Sequence, residues 1–368
     1  MILKPRGISV YYNVGGAGLG PARGLMNRLF ERTLAAAVLA AALSLPASAG
    51  GAGTTSSNFI KIPVAAMPAG MGEAYTAMAG PDSILYNPAG LGLLSYSALS
   101  VSHNQYLEDI TQEYAAVSWR TPYGTVGALF SSLSSGGIDS YDENDMLVGK
   151  TSTGHRMMAL SFSQSWPHFR KDAGKLDPML ITPSWTRVEP VQDYRPKAYR
   201  FSAGATIKKI SEKLASESSS VYAYDAGALL VLPRHFHIGA SAMNYGGKQK
   251  FVSESYPLPS SLRFGLAKDF HTVNDVMIFT LASDVVKYSD RSAMSATGLQ
   301  VDIMRAFQLR LGYKSQKDAG SRLCGGFGLN FDRLSDKNSF VRGARLDYSY
   351  LDYGGIGVTH RVGVQMIW

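Results

Sequence analysis

Gly149-Lys150-Thr151 has the ending of a phosphate-binding loop. The upstream glycine of such a loop would be residue 144, which is Asn144, and no helix pattern follows, so the match fails. Asp142, Glu143 and Asp145 could face one cation, but they lack the ordered carboxylates and the glycine of a calcium loop. They read as a solvated loop. His235 and His237 stand on one side of an alternating strand, as two metal ligands would. No third ligand is evident beside them, and polar residues facing a barrel lumen account for both. Cys324 is the one cysteine, so no internal disulfide is open to the chain, and it reads as a small wall residue. Neither G-x-S-x-G nor H-E-x-x-H occurs, which leaves hydrolysis without its nucleophile or its ligand set. The chain is expected to be no enzyme and to hold no cofactor and no metal.

The elements that would position these residues are short and alternating. About fourteen period-two segments are expected, over 98–107, 112–120, 124–134, 156–166, 198–211, 219–232, 235–245, 259–270, 275–287, 293–303, 305–315, 321–331, 339–351 and 355–368. Most reach the length that a tilted membrane-crossing strand needs. Phe307, Leu309, Leu311 and Tyr313 share one face while Gln308, Arg310, Gly312 and Lys314 share the other. An apolar outside and a polar inside describe a membrane barrel, and a composition of 45% apolar residues with 38 Gly and 20 Tyr suits it. The fold class expected is therefore all-β: a 14-stranded antiparallel transmembrane β-barrel over residues 98–368 with an N-terminal plug.

The formal charge is +8, but residues 1–49 carry Lys4, Arg6, Arg23, Arg28 and Arg32 against Glu31. Removing that net +4 leaves a remainder near +4 with no basic run, so nucleic acid is not an expected partner. Residues 26–49 read as a secretion signal, with Arg28 and Arg32, an apolar run from Leu34 to Leu45, and Ala47-Ser48-Ala49 as the cleavage pattern. Residues 1–25 then fall upstream of Met26 as a misassigned start or a long basic region. Trp368 ends a strand with apolar residues at alternate positions, and Val364, Met366 and Trp368 are expected to be the signal read by the outer-membrane barrel assembly machinery. Alternate connections come out short, which puts Ser135 to Gly154 and Gly246 to Leu258 among the outer loops. Pro167 to Lys197, between the fourth and fifth strands, is either a periplasmic insertion or an extra hairpin; its prolines favour the insertion.

Residues 54–97 fit neither pattern. Phe59, Ile60, Ile62, Val64, Met67, Met71, Tyr75, Met78, Ile84 and Leu85 neither alternate nor form a helical stripe, and Pro63, Pro68, Gly70, Gly72, Pro81 and Pro88 interrupt them. So apolar a segment must be covered, and the strands that follow are the cover available. It is read as a hatch corking the barrel. Asn87-Pro88 is expected to form a tight turn, and Gly70 and Gly72 to pack against the wall.

Three stretches resemble the PorV/PorQ family of FadL-like outer-membrane barrels. They are the hatch, with Ala69-Gly70-Met71-Gly72-Glu73-Ala74 and Tyr86-Asn87-Pro88-Ala89-Gly90-Leu91; the first hairpin, Leu99 to Trp119; and Tyr224 to Leu266, with Pro257-Leu258-Pro259 before a strand. Gly80-Pro81-Asp82 stands where the family usually has paired acidic residues. The resemblance implies a bacterial outer-membrane location, surrounding lipid, and one of two kinds of work. The first is an accessory role in protein secretion or surface attachment, with secretion-system components and secreted cargo as partners. The second is a channel for hydrophobic small molecules, in which Phe59, Ile60, Met67, Met71 and Tyr75 would line a greasy route and Asn87 and Pro88 would contribute to gating.

Overall fold

The structure, a computed structural model, describes residues 51, 53–107, 110–167, 199–214, 217–251, 253–272, 276–315, 320–331 and 343–368. The expected secretion signal, the residues before it and all but the first residue of the expected 167–197 insertion lie outside the described residues.

Strands follow one another as β1 (Ala98–Gln105), β2 (Thr111–Thr121), β3 (Gly124–Ser134), β4 (Ile138–Tyr141), β5 (Leu147–Thr151), β6 (Thr153–Trp166), β7 (Arg200–Leu214), β8 (Glu217–Leu232), β9 (Phe236–Gly246), β10 (Lys248–Phe251), β11 (Glu254–Pro257), β12 (Ser261–His271), β13 (Met277–Tyr288), β14 (Met294–Ile303), β15 (Phe307–Lys314), β16 (Leu323–Asn330), β17 (Ala344–Asp352) and β18 (Val358–Ile367). Fourteen of them close into one barrel in the order β1-β18-β17-β16-β15-β14-β13-β12-β9-β8-β7-β6-β3-β2. Every neighbouring pair is antiparallel. Closure joins the first strand to the last, with Ala98 opposite Ile367 and reciprocal backbone bonds between Ser97 and Trp368 at 3.1 and 3.2 Å. A closed ring leaves no strand edge unpaired, which is the condition for crossing lipid with strands.

Alternation along each strand sets the two faces. On β15, Leu309 and Leu311 are 55% and 54% exposed while Gln308 and Arg310 between them are buried in the lumen. Rings gather near the ends of the apolar band: Trp119 meets Trp368 edge-on at 6.2 Å, and Trp166 stacks on Phe201 at 5.9 Å. Such aromatic girdles mark the two interfaces of a membrane. At the end of the barrel where Trp368 lies, two turns place consecutive non-glycine residues at positive φ: Arg234 with His235 (64° and 57°) and Met304 with Arg305 (53° and 57°). That geometry matches the twist of a tight hairpin, and it keeps these connections short.

At the opposite end two expected loops prove to be structured. Residues 135–154 contain the hairpin β4-β5, and residues 246–258 contain β10-β11, each a two-stranded sheet outside the barrel. The first is turned by Asp142, whose Oδ1 accepts from the backbone N–H groups of Asn144 (2.8 Å) and Met146 (2.9 Å). Those donors, Met146 first, hold the Asp142 carboxyl below its ordinary pKa. Its oxygen is spent on the turn, which agrees with the loop reading of the Asp142, Glu143 and Asp145 group.

Candidate functional site: the seated hatch

The described chain begins at the end of the barrel that carries the β4-β5 and β10-β11 hairpins, the expected outer mouth. A leading strap, Thr55 to Val64, is tied there at several points. Ser56 N–H donates to Pro257 carbonyl oxygen (3.0 Å), Ser57 Oγ to Gln249 Oε1 (2.6 Å) and Thr55 Oγ1 to Asp290 Oδ2 (2.8 Å), and Lys61 pairs with the same carboxylate. Arg361 of β18 donates through Nε to the carbonyl of Pro63 (2.6 Å). The path then descends through a short helix, Ala66–Gly70, and two 3-10 turns, Pro81–Leu85 and Pro88–Leu93, to Ser97 at the inner rim. No piece is long enough to be stable alone; the wall around them supplies the burial.

That wall is hollowed to receive the hatch backbone. Lumen-facing glycines recur from strand to strand, and a Cβ built on them would strike the hatch: Gly204 meets Pro88 at 2.6 Å, Gly239 meets the Thr76 carbonyl oxygen at 2.2 Å, Gly298 meets the Met71 carbonyl oxygen at 2.5 Å and Gly312 meets the Gly72 nitrogen at 2.2 Å. Gly70 lies over the backbone of Gly326, and Gly72, at φ 65°, lies over Gly312 and Tyr313. Main chain therefore rests on main chain around much of the circumference, closer than any side chain would allow.

Polar clamps complete the seat. Asp284 Oδ2 of β13 accepts from Tyr75 N–H (3.0 Å), Thr76 N–H (2.9 Å) and Thr76 Oγ1 (2.6 Å), and Arg263 of β12 lies beside it, donating to the carbonyl of Glu73 (3.0 Å). Asp82 accepts from Ser100 (2.7 Å), Tyr114 (3.1 Å) and Gln365 (2.6 Å), so one hatch carboxylate gathers strands β1, β2 and β18. Glu73 pairs with Lys314. Asn87 does more than form the expected turn. It caps the Pro88–Leu93 turn, its Oδ1 accepting from Ala89 N–H (3.1 Å), and its Nδ2 donates to the carbonyls of Thr76 (2.8 Å) and Ala228 (3.0 Å). Asn87→Leu removes a cap and two buried donors at once and is expected to destabilise the hatch by about 2–4 kcal/mol. Pulse proteolysis of the folded barrel in detergent reads that loss as earlier cleavage within residues 54–97.

The lumen has two chemistries. On β12 to β18 the inward residues include a charged and amide network: Asp347 bridges Arg310 and Arg345 at 2.7 Å each, and Arg310 also donates to Gln300 (2.8 Å). On β2, β3, β6, β7 and β8 the inward residues toward the outer mouth include Tyr114, Leu133, Met157, Ile210 and Val221, which form one apolar cluster with Phe59, Val64 and Ile84 of the hatch; the buried ion pairs Lys208–Asp225 and His155–Glu212 stand among them. Between strap and wall lies a cavity of about 40 Å³ with one apolar side, formed by Ile60, Ile62, Val64, Leu85, Met157 and Met243, and one polar side that includes Glu73, Lys208, Asn244 and Arg263. It would hold a water, whereas a benzene-sized guest takes roughly 150 Å³. Any apolar guest must therefore displace part of the hatch.

Of the residues singled out from sequence, Ile60 borders this cavity and Phe59 lies in the adjoining cluster against His155, ring centroids 5.1 Å apart. Met67, Met71 and Tyr75 are enclosed and do not border the cavity; Met67 and Tyr75 pack with Tyr86, which does. Pro88 sits at Gly204. Val364, Met366 and Trp368 face outward from β18. His235 and His237 do not act as a pair: His237 is buried in the lumen, whereas His235, in the β8-β9 turn, stacks on His271 at 4.5 Å beside Asp269. Asp284, Asp82, Arg361 and the wall glycines were not singled out. The available signal was a charged or absent side chain at a lumen-facing position midway along a strand.

Neither a family model nor a curated protein sequence matches the chain. Among solved structures the neighbours are outer-membrane barrels, including those of the FadL family. The toluene transporter TodX of P. putida is similar at 11% identity and a TM-score of 0.49, over 82% of this chain and 96% of that one. A Pseudomonas aeruginosa FadL homologue is similar at 10% identity and 0.42, over 83% and 97%, and the Acinetobacter baumannii outer membrane protein Omp33 at 8% and 0.41, over 75% and 100%.

Proposed function

We propose that this barrel lies in the bacterial outer membrane and passes small apolar molecules, which enter by displacing the strap Thr55 to Val64. The observation that carries the reading is the apolar lumen quadrant around Tyr114, Leu133, Met157 and Val221, sealed by the strap's own apolar side chains. Water-filled barrels keep their interior polar. An apolar interior wall needs an apolar cover, and a guest that replaces Ile60, Ile62 and Val64 exchanges one buried apolar surface for another at little net cost. The strap is held at the mouth by hydrogen bonds and one ion pair, a set that can open without disturbing the wall.

Ile60→Asp with Ile62→Asp replaces two apolar side chains of the cavity by carboxylates, beside the Glu73, Lys208 and Arg263 that already border it, and leaves the wall glycines in place. Cells carrying this variant are expected to lose uptake of a small aromatic hydrocarbon while the barrel still assembles as a heat-modifiable band. Unchanged uptake, or equal uptake in cells lacking the gene, overturns the reading.

A second reading, the secretion-accessory role implied by the PorV/PorQ resemblance, has one observation on its side. Met146 and Val148 on the β4-β5 hairpin are 65% and 66% exposed, beyond the membrane band, where a protein partner would cover them. Under that reading, loss of the gene strands secreted cargo in the periplasm and leaves solute uptake intact.

A further inference from the structure

At the inner mouth, at the end opposite the strap, three residues of metal-ligating type converge from two connections. His235 sits in the β8-β9 turn at φ 57°, and the backbone N–H of Asp269 donates to its carbonyl oxygen at 3.1 Å, which extends the β9-β12 ladder by one step. Asp269 and His271 lie two apart on β12 and so project from one face of it. One ligand atom from each of the three residues lies within 4.8 Å of the other two, and the two imidazoles stand 4.5 Å apart, tilted by 32°. From β13, Thr280 Oγ1 donates to Asp269 Oδ1 at 2.7 Å, orienting the carboxylate as a supporting hydrogen bond does around a ligand.

We infer that His235, Asp269 and His271 form a binding site for a divalent late first-row transition metal ion at the inner rim of the barrel. Two imidazoles and one carboxylate are a donor set for Zn(II), Ni(II) or Cu(II); calcium and magnesium call for more oxygen donors than this site supplies. Around a tetrahedral zinc the ligand atoms stand about 3.3 Å apart, so the three side chains must draw together by up to about 1.5 Å. His271 is exposed at the end of its strand. Three protein ligands leave the remaining coordination position to water or to an incoming donor. A bound ion would fasten the β8-β9 turn to the end of β12.

The test uses the full chain, matured by the host, purified in detergent without a polyhistidine tag, stripped with chelator and titrated with zinc near neutral pH against a chromophoric competitor. One equivalent is expected to bind. His235→Ala and His271→Ala should each weaken it about tenfold or more, and the double variant should abolish it. Replacing His103 and His360, which lie at the other end of the barrel, should change nothing. Retention of the heat-modifiable band by each variant separates loss of the site from loss of the fold. Wild-type protein that binds no zinc in the micromolar range, or a double variant that binds as wild type does, overturns the assignment. Because the site lies away from the apolar quadrant, this outcome is independent of solute uptake.

Discussion

Gly239→Ala is expected to unseat the hatch and leave the wall standing. The added methyl would lie 2.2 Å from the Thr76 carbonyl oxygen, 2.7 Å from its carbonyl carbon and 2.9 Å from Ala77 Cα, all of them main chain. A side chain could swing aside; this backbone has to move by roughly 1 Å or more to restore contact distance. Movement there pulls Thr76 from two partners, since its carbonyl accepts from Asn87 and its N–H and hydroxyl donate to Asp284. Overpacking costs about 1–3 kcal/mol, and the broken buried bonds add a similar amount. The β9 ladder itself favours alanine over glycine, so closure survives. Limited proteolysis should cut within residues 54–97 while the barrel band persists, and planar-bilayer recordings should show conductance where the wild type is sealed. Gly355→Ala, which meets nothing within 4 Å, is the silent comparison. A G239A hatch as protected as the wild type would sink the claim that wall glycines seat the plug.

Removing the carboxylate of Asp284 should have an effect of the same order by a different route. Its Oδ2 is the acceptor for two backbone N–H groups and one hydroxyl of the hatch, and Arg263 stands next to it, both residues buried. Asp284→Ala strands those donors and leaves a buried guanidinium without its counter-charge, a loss of about 3–5 kcal/mol. Asp284→Asn keeps one acceptor oxygen but turns an amide N–H₂ toward donors, so it should recover only part of the loss. The heat-modifiability midpoint and hatch proteolysis report both variants. Because Asp284 and Gly239 act on the same Thr76, the double variant should lose less than the two single losses together. Full additivity would mean that the clamp and the glycine seat hold separate parts of the hatch.

The strand pattern was open to a sequence reading because alternation is local. Phe307, Leu309 and Leu311 against Gln308 and Arg310 announce two faces with no knowledge of a neighbour, and the barrel strands follow the expected segments closely along the chain. The hairpins in residues 135–154 and 246–258 are not legible in the sequence because short, solvated strands such as Glu254–Pro257 carry no buried face and hence no alternation to detect. His235 was paired with His237 because those two share a strand; its neighbours, His271 and Asp269, come from a strand some thirty positions later.

Local residue order specifies two-faced strands, apolar toward lipid and polar toward the lumen, preceded by an apolar segment in need of cover. Periodicity and composition act over a few residues, and that is enough to specify them. Only the tertiary structure decided that the segment sits with its main chain on the glycines of the wall, that Asp284 and Asp82 hold it, and that the apolar part of the lumen lies under the strap. Those contacts depend on strand register and on how the sheet closes, and both are set by residues hundreds of positions apart in the chain.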